Sequence, residues 1–351
     1  MSRDILAPPL QRMSHNRMYR VNITHEDFGG DKTNAGKRGS QAKEYLETDL
    51  YAEDDFDDEA TCKIVELPNN EGYKLPLHIP KAFYGGLIGM KGNTKRRIEN
   101  ETQTEISVPR PNDKSSELLI RGKERSSLCA ALRKIRLIVE SLRKKMRPTH
   151  FLAVSLNSGI VQEKFLALKQ SILEAEFPGI DSDLFISERC IHLTLGVYVL
   201  LDDEERQKAL EQLQLCRQYL TELSTPLQLK VSGLEIMNDD PSSTRVLYAR
   251  VEAPDLQHFA DRCLQHFKPS GLCATDNIER DSIKLHMTIM NNRKRKELNA
   301  KSPNSFDARE ILKKFGDYDF GIVHCNEVHL CVLKSSQEVE DFYKITGSLK
   351  F

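Results

Sequence analysis

The sequence lacks the features that mark membrane, secreted and disulfide-bonded proteins. No apolar run approaches the roughly 18 residues of a membrane span, and no apolar core follows the first Met. We therefore expect neither a membrane segment nor a secretory signal. The eight cysteines include no C-x-x-C pair, which argues against a zinc or disulfide framework. That pattern indicates reduced, mostly buried thiols in an intracellular protein.

Patterns that hold a metal ion are missing as well. The chain has no H-E-x-x-H sequence, no carboxylate-rich metal pattern and no Cys/His spacing of a zinc site. We therefore expect no metal and no cofactor, so any chemistry must come from side chains of the protein itself.

Apolar residues are scarce for a chain of this length. They make up 39% of 351 residues, a number of residues that suffices for two or three domains. The low apolar content indicates that part of the chain is unfolded or very polar. Residues 1–60 fit that description, because they carry 8 basic and 13 acidic residues and little apolar surface. We expect them to be a largely disordered acidic region.

Charge is distributed unevenly along the chain. The net charge is −1, yet residues 76–146 carry 16 basic and 7 acidic residues. A basic block in a nearly neutral chain is typical of a nucleic-acid contact region. On charge alone, a solvated helix face explains the block equally well.

The basic block shows the element order of a small domain whose ordered part begins near residue 72. Residues 74–80 alternate like a strand, and a short helix ends before the turn at 89–92. Its two glycines let the backbone approach a ligand, and the next helix offers N-terminal amides to a phosphate. Two strands and an amphipathic helix at 124–143 complete the order.

This order over residues 73–146 resembles a eukaryotic, type I KH domain (βααββα). The resemblance implies that the G-x-x-G loop clamps about four nucleotides of single-stranded RNA, with single-stranded DNA left open. The family usually has an aliphatic residue where this chain has Lys95, so base preference does not carry over. A KH fold used only as a scaffold stays an alternative. The predicted nucleic-acid-binding residues are Ile88, Gly89, Met90, Lys91, Gly92, Lys95, Arg96 and Arg97.

A second pattern occurs twice, 94 positions apart, in a region where strands alternate with helices. Residues 190–197 read CIHLTLGV and residues 283–290 read IKLHMTIM. The alternation of apolar and polar residues predicts strands with His and Thr on one face. A single copy is most simply a half-buried strand histidine. Two copies, His192 with Thr194 and His286 with Thr288, indicate a shared site.

Two imidazoles that flank one phosphate can provide acid–base catalysis. A neutral His takes a proton from the attacking hydroxyl, and a protonated His gives one to the leaving oxygen. The Thr hydroxyls can donate hydrogen bonds to the non-bridging oxygens. The sequence leaves open whether the two strands lie side by side or face each other, and which His is the acid.

The paired His-x-Thr motifs resemble the two-histidine (2H, LigT-like) phosphoesterase superfamily over residues 149–351. The resemblance implies a bilobal, pseudo-twofold fold with mainly antiparallel sheets, so the whole chain is of the α+β class. It also implies metal-free cleavage of RNA phosphodiesters, often at 2′,3′-cyclic phosphates or 3′ ends. His192 and His286 would be the catalytic pair, and Thr194 and Thr288 would bind the phosphate.

A KH domain joined directly to a 2H domain, with MNDDP at 237–241 and VLYAR at 246–250, resembles a family of nuclear coactivator-complex subunits. That resemblance implies a nuclear protein that works with a helicase-containing complex in transcription coactivation and alkylation-damage repair. Two alternatives to an RNA phosphodiesterase stay open. One is a catalytically silent adaptor that holds a strand end in the 2H cleft, and the other is an assembly adaptor that contacts proteins.

Overall fold

The computed structural model describes only part of the N-terminal region. The described residues are 10–12, 18–20, 64–68, 71–110, 117–221, 223, 225–294, 305–335 and 342–351. The chain divides into a unit Met1–Glu53 and a unit Asp54–Phe351. In the first unit, strands β1 (Leu10–Arg12) and β2 (Met18–Arg20) pair antiparallel. The rest of the predicted disordered region lies outside the described residues.

The first domain of the second unit has the βααββα order of a KH domain, preceded by one short additional strand. Its four strands form one antiparallel sheet in the order β3-β4-β6-β5, and its helices pack against that sheet. The elements are β3 (Val65–Glu66), β4 (Tyr73–His78), α1 (Tyr84–Ile88), α2 (Asn93–Thr102), β5 (Thr104–Ser107), β6 (Glu117–Gly122) and α3 (Arg125–Arg143). Strand β3 lies upstream of residue 72, where the sequence analysis placed the first ordered residues. Its two residues are too few to show a periodic pattern.

The core of this domain follows from the apolar stripe of α3. Leu128, Leu132 and Ile135 recur at helical spacing and are fully buried against the sheet residues Leu118 and Ile120. The polar face of α3 stays in solvent, as the amphipathic pattern predicts.

The remainder of the unit is built on one eight-stranded antiparallel sheet. The strand order is β12-β9-β10-β11-β8-β7-β13-β14. Its strands are β7 (His150–Ser155), β8 (His192–Tyr198), β9 (Leu227–Ile236), β10 (Val246–Glu252), β11 (His286–Asn291), β12 (Asp319–Cys325), β13 (Glu327–Val332) and β14 (Ile345–Lys350). Its helices are α4 (Gly159–Glu174), α5 (Asp203–Leu215), α6 (Pro254–Phe267), α7 (Thr275–Ile278) and α8 (Arg309–Phe315).

The sheet consists of two four-stranded halves that meet where β8 pairs with β11. One Cα pair, Met287 opposite Leu193, joins the halves. The predicted α+β class, with a KH domain followed by a phosphoesterase-like domain of antiparallel strands, is confirmed. The two lobes share one continuous sheet instead of forming two separate ones.

The two faces of this sheet are buried in different ways. Leu152 and Val154 of β7 point into the main core, which α4 and α6 cover with Phe165 and Phe259. The alternate residues of β7 point to the opposite face. There they join a small apolar cluster of Phe151, Ala153, Cys331 and Phe342. That opposite face also carries the two histidines of the repeated motif.

The KH domain is docked firmly on the second domain. Buried Arg143, at the end of α3, pairs with buried Glu205 of α5 and donates to the Val199 carbonyl oxygen. The guanidinium also lies 4.9 Å from the centroid of the Phe83 ring. His78 of β4 bonds Asp202 Oδ2 at 3.0 Å. These contacts fix the position of the KH domain relative to β8, because Val199 follows that strand directly.

The sequence also led to expectations about the cysteines and about membrane-spanning segments. The seven cysteines in the described part of the chain are buried free thiols. Within the same part, no helix combines the length and apolar character that crossing a bilayer requires.

Candidate active site

The four residues of the two His-x-Thr motifs lie together at the centre of the eight-stranded sheet. On β8, His192 and Thr194 are half-buried, whereas Leu193 and Leu195 are completely buried. On β11, His286 and Thr288 alternate with buried Met287 in the same way. Because β8 and β11 are neighbours in the sheet, the two motifs lie side by side and present His and Thr on one face.

The antiparallel register crosses the two motifs. Leu193 lies opposite Met287, so one step along each strand brings His286 beside Thr194 and Thr288 beside His192. Each imidazole therefore has the hydroxyl of the other motif as its cross-strand neighbour. A phosphate bound here would meet two imidazoles and two hydroxyls from both halves of the sheet.

Each imidazole is held by a hydrogen bond to the backbone carbonyl two residues before it. Nδ1 of His192 lies 2.7 Å from the carbonyl oxygen of Cys190, and Nδ1 of His286 lies 2.8 Å from that of Lys284. A carbonyl oxygen can only accept, so each Nδ1 carries the hydrogen and donates it. Each Nε2 is therefore the atom that exchanges a proton with a substrate.

The protein environment keeps both histidines neutral near pH 7. Burial lowers the pKa of His192 to about 4; the Cys190 carbonyl opposes this shift, and positive charge on His286 and Lys294 adds to it. Burial also lowers the pKa of His286, with a smaller contribution from the charges of Lys284 and Arg280. The two imidazoles are thus close enough to influence each other's charge. An anionic phosphate between them would favour the protonated form.

Aromatic rings surround His192. The Phe151 ring centroid lies 5.1 Å from the imidazole, and Tyr343 contacts it edge-on at 5.3 Å. Phe342 lies 6.3 Å away. Phe151 reaches this position from β7, the strand next to β8, whereas the other two rings precede β14. The described side chains around His192 are therefore mainly aromatic.

Charged and polar side chains surround His286. The Tyr248 ring contacts the imidazole edge-on at 5.4 Å, and its hydroxyl donates to Glu235 Oε2 at 2.6 Å. Nζ of Lys284 lies 4.8 Å from the centroid of the same ring. Arg250 lies opposite His286 in the register of β10 and β11, but its guanidinium turns back over Gly233 towards Glu235.

Sequence reasoning did not select these neighbours. The stretch VLYAR at 246–250 contributed to a family resemblance, which did not single out Tyr248. What made Tyr248 a site residue is the pairing of β10 with β11, and the one-dimensional pattern does not contain that pairing. Phe151 was missed for the same reason on β7.

The predicted G-x-x-G clamp forms a tight, exposed turn between α1 and α2. Gly89 and Gly92 have φ values of 70° and 78°, and Lys91 shares this left-handed region at 52°. A Cβ atom on Gly89 would clash with Thr94, and its positive φ would strain any other residue, so glycine is strongly favoured there. Met90 is 80% exposed at the tip of the turn.

The other residues predicted to bind nucleic acid differ in solvent exposure and in the contacts they already make within the domain. Ile88 is exposed before the turn, as are Lys91 within it and Arg97 after it. Arg96 donates to the Lys91 carbonyl oxygen at 2.6 Å and so braces the turn. Lys95 pairs with Glu99 at 2.9 Å. Lys95, where the KH family has an aliphatic residue, is thus occupied by an intrahelical ion pair.

Comparison with known proteins gives matches for both domains. Residues 75–137 match the KH domain family, and residues 148–351 match the family described as AKAP7 2'5' RNA ligase-like domain. Activating signal cointegrator 1 complex subunit 1 of Mus musculus is 33% identical over 330 residues, which cover 86% of this chain and 91% of that protein.

Solved structures resemble each domain separately. The first KH type I domain of human vigilin is 29% identical and covers 21% of this chain and 79% of its own, with a TM-score of 0.19. The protein TT0787 of Thermus thermophilus is 17% identical and covers 57% of this chain and 97% of its own, with a TM-score of 0.39. The chain belongs to the family of activating signal cointegrator 1 complex subunit 1, with a KH domain followed by a domain of the AKAP7 2'5' RNA ligase-like family.

Proposed function

We propose that this protein is an RNA phosphodiesterase that cleaves phosphodiesters at the ends of single strands, including 2′,3′-cyclic phosphates, without a metal. The observation that carries the proposal is the crossed pair of His-x-Thr motifs on neighbouring strands. Both motifs face the same side of the sheet, and each imidazole is held by its own backbone carbonyl. The catalytic residues are His192, His286, Thr194 and Thr288.

The four side chains account for a complete hydrolytic step. Nε2 of one neutral histidine accepts a proton from the attacking water, whose oxygen bonds to phosphorus. The bond from phosphorus to the leaving oxygen breaks, and Nε2 of the other, protonated histidine gives that oxygen a proton. Thr194 and Thr288 donate hydrogen bonds to the non-bridging oxygens, where negative charge builds up. The next turnover requires a proton to move back to the second histidine.

The KH domain would hold the strand whose end enters the cleft. Its turn at Gly89–Gly92 offers backbone and the exposed cations Lys91 and Arg97 to a nucleic-acid backbone. The domain division that goes with this function is residues 1–60, 73–146 and 149–351. The strand is RNA in this proposal, and single-stranded DNA is the competing ligand to test.

Membership of a complex is proposed from the relative. The mouse protein is named as a subunit of the activating signal cointegrator 1 complex. We extend that membership to this chain, together with a nuclear location, a helicase partner, and roles in transcription coactivation and alkylation-damage repair.

The test is cleavage of short RNAs with a 2′,3′-cyclic phosphate or a free 3′ end, in the presence of a chelator. Wild type is compared with His192→Ala, His286→Ala and the double variant, and His324→Ala, an exposed histidine on β12, is the control. Loss of a general acid or base is expected to slow cleavage by about 10²- to 10⁴-fold. Wild-type activity no higher than that of the double variant contradicts the proposal.

A catalytically silent adaptor is the second candidate, and the low pKa of His192 favours it. When burial holds both histidines neutral, neither can protonate a leaving oxygen. Such a protein would bind an RNA end in the cleft through Thr194 and Thr288 and would not turn it over. Binding without cleavage across pH 5 to 8 would support this candidate and reject the enzyme.

A further inference from the structure

The two motifs differ at the position two residues before each histidine. Cys190 and Lys284 occupy that position, and both use their carbonyl oxygens to hold the imidazole Nδ1. Their side chains have opposite environments. Cys190 is buried against the hydroxyl of Tyr343, whereas Lys284 is exposed on the His286 side of the sheet. The repeat therefore places a cation in one half of the site and a neutral thiol in the other.

The Lys284 side chain has a defined resting place. Its ammonium lies 4.8 Å from the centroid of the Tyr248 ring, a distance typical of a cation–π contact. The ring itself is held by the hydroxyl bond to Glu235 and by the edge contact with His286. No carboxylate in the described part of the chain lies within ion-pair distance of Lys284. The described residues thus leave this ammonium without a paired carboxylate next to a catalytic imidazole.

Lys284 also suits the chemistry better than Arg250, which lies opposite His286 in the sheet. Arg250 is turned away over Gly233 towards Glu235, which partly satisfies its charge. Lys284, His286 and Thr288 occupy alternate positions along the chain, so their side chains emerge on one face where β11 begins. An anion bound between the two histidines would therefore find the Lys284 ammonium on the same face.

We propose that Lys284 is the phosphate-binding cation of the cleft, held in place by Tyr248 and contacting a non-bridging oxygen of the phosphate at the His286 side. The inference rests on the proposed function of the cleft and adds to it a group that compensates the charge of the phosphate. Because the Cys190 side chain supplies no such cation, the charge of the phosphate is compensated at the non-bridging oxygen nearer to β11. The apolar half around Phe151 is left for the nucleoside.

Binding of a dinucleotide 3′-phosphate tests this proposal. The probe is shorter than the about four nucleotides that a KH loop clamps, so it reports on the cleft. The variants are Lys284→Met, Lys284→Arg and, as a matched surface lysine on β9, Lys230→Met. Lys284→Met is expected to weaken binding about 10- to 100-fold and to reduce the slope of log affinity against log salt by about 1. Lys284→Arg should keep most of the affinity, and Lys230→Met all of it.

A second readout separates a charge role from a structural one. The charge of Lys284 lowers the pKa of His286, so Lys284→Met should raise that pKa in an NMR titration. Unchanged affinity and salt slope in Lys284→Met, or an equal loss in Lys284→Arg, would overturn the proposal.

Failure of this inference is distinguishable from failure of the proposed function. A wild type that binds the dinucleotide in a Lys284-dependent way without cleaving RNA rejects catalysis and keeps the phosphate contact. If the wild type and Lys284→Met cleave RNA equally fast, the phosphate contact is rejected and catalysis is retained.

Discussion

His192 lies among aromatic rings and His286 lies beside a tyrosine, a glutamate and a lysine, although the strands that carry them repeat one pattern. The shared features are the alternation, the Nδ1 hydrogen bond to the carbonyl two residues back, and an edge-on tyrosine at 5.3 or 5.4 Å. The differences come from neighbouring strands and loops. A repeated strand thus fixes how an imidazole points, while the surrounding elements decide its charge and its ligand.

The largest expected effect tests whether both halves are needed equally. His192→Ala and His286→Ala should each slow RNA cleavage by about 10²- to 10⁴-fold, because acid and base act in one step. The double variant should be little worse than either single variant, since residues that act as a unit are not additive. Single-turnover rates measure this. A large loss in only one variant would show that one half carries the chemistry alone.

The hydroxyls give the next comparison. Thr194→Val and Thr288→Val should each reduce the rate of cleavage by about 10²-fold, since each removes one donor to the phosphate oxygens. With Lys284 on the His286 side, Thr288→Val should be the milder of the two. The rate constants of matched Thr→Ser variants, which keep the hydroxyl, serve as the control. An equal reduction of the cleavage rate in the two Val variants would contradict the predicted difference between Thr194 and Thr288.

The pH dependence of stability distinguishes the two imidazoles. The pKa of His192 is about 4 in the folded protein against an ordinary 6.5, so between these values the unfolded chain binds more protons. Stability is therefore fully present above pH 6.5 and falls as the pH decreases towards 4. Between pH 7 and 5, the His192→Gln variant should therefore lose about 1–2 kcal/mol less of its free energy of unfolding than the wild type does.

Urea unfolding at both pH values measures that difference. The pKa of buried His150 is also lowered to about 4, so part of the acid sensitivity should persist in every variant. His286→Gln should change the acid sensitivity less, because His286 is more open to solvent. A larger effect from His286→Gln would reverse the comparison.

The smallest expected effect concerns the two tyrosines. Tyr248→Phe removes a hydrogen bond to the solvent-accessible carboxylate of Glu235 and should lower the free energy of unfolding by about 1 kcal/mol. Tyr343→Phe removes a contact with the Cys190 thiol, a weak partner, and should cost about 0.5 kcal/mol. Both rings remain, so both imidazoles should keep their edge contacts. Denaturant midpoints at pH 7 measure the difference, and a reversed order would contradict it.

Much of the architecture was accessible from local pattern. The period of two in the His-x-Thr stretches indicated the strands and placed Leu193 and Met287 in the core. The helical stripe of Leu128, Leu132 and Ile135 likewise indicated the face of α3 that is buried. These predictions succeeded because side-chain direction in a strand or helix follows from backbone geometry alone.

Other features depended on contacts between distant segments. The ion pair of Arg143 with Glu205 joins residues 62 positions apart, and neither residue stands out from other exposed-looking charges in the sequence. The Tyr248 network around His286 likewise requires β9, β10 and β11 to be neighbours.

By itself, the sequence determined that two histidines and two threonines share strand faces and that a glycine-bounded basic turn precedes them, because those properties are set within a few residues. Only the tertiary structure decided that β8 pairs with β11, that the carbonyl oxygens of Cys190 and Lys284 hold the two imidazoles, and that aromatic rings enclose one imidazole and charged groups the other. Strand neighbours are chosen by the packing of a whole core, and that choice is a property of the complete fold.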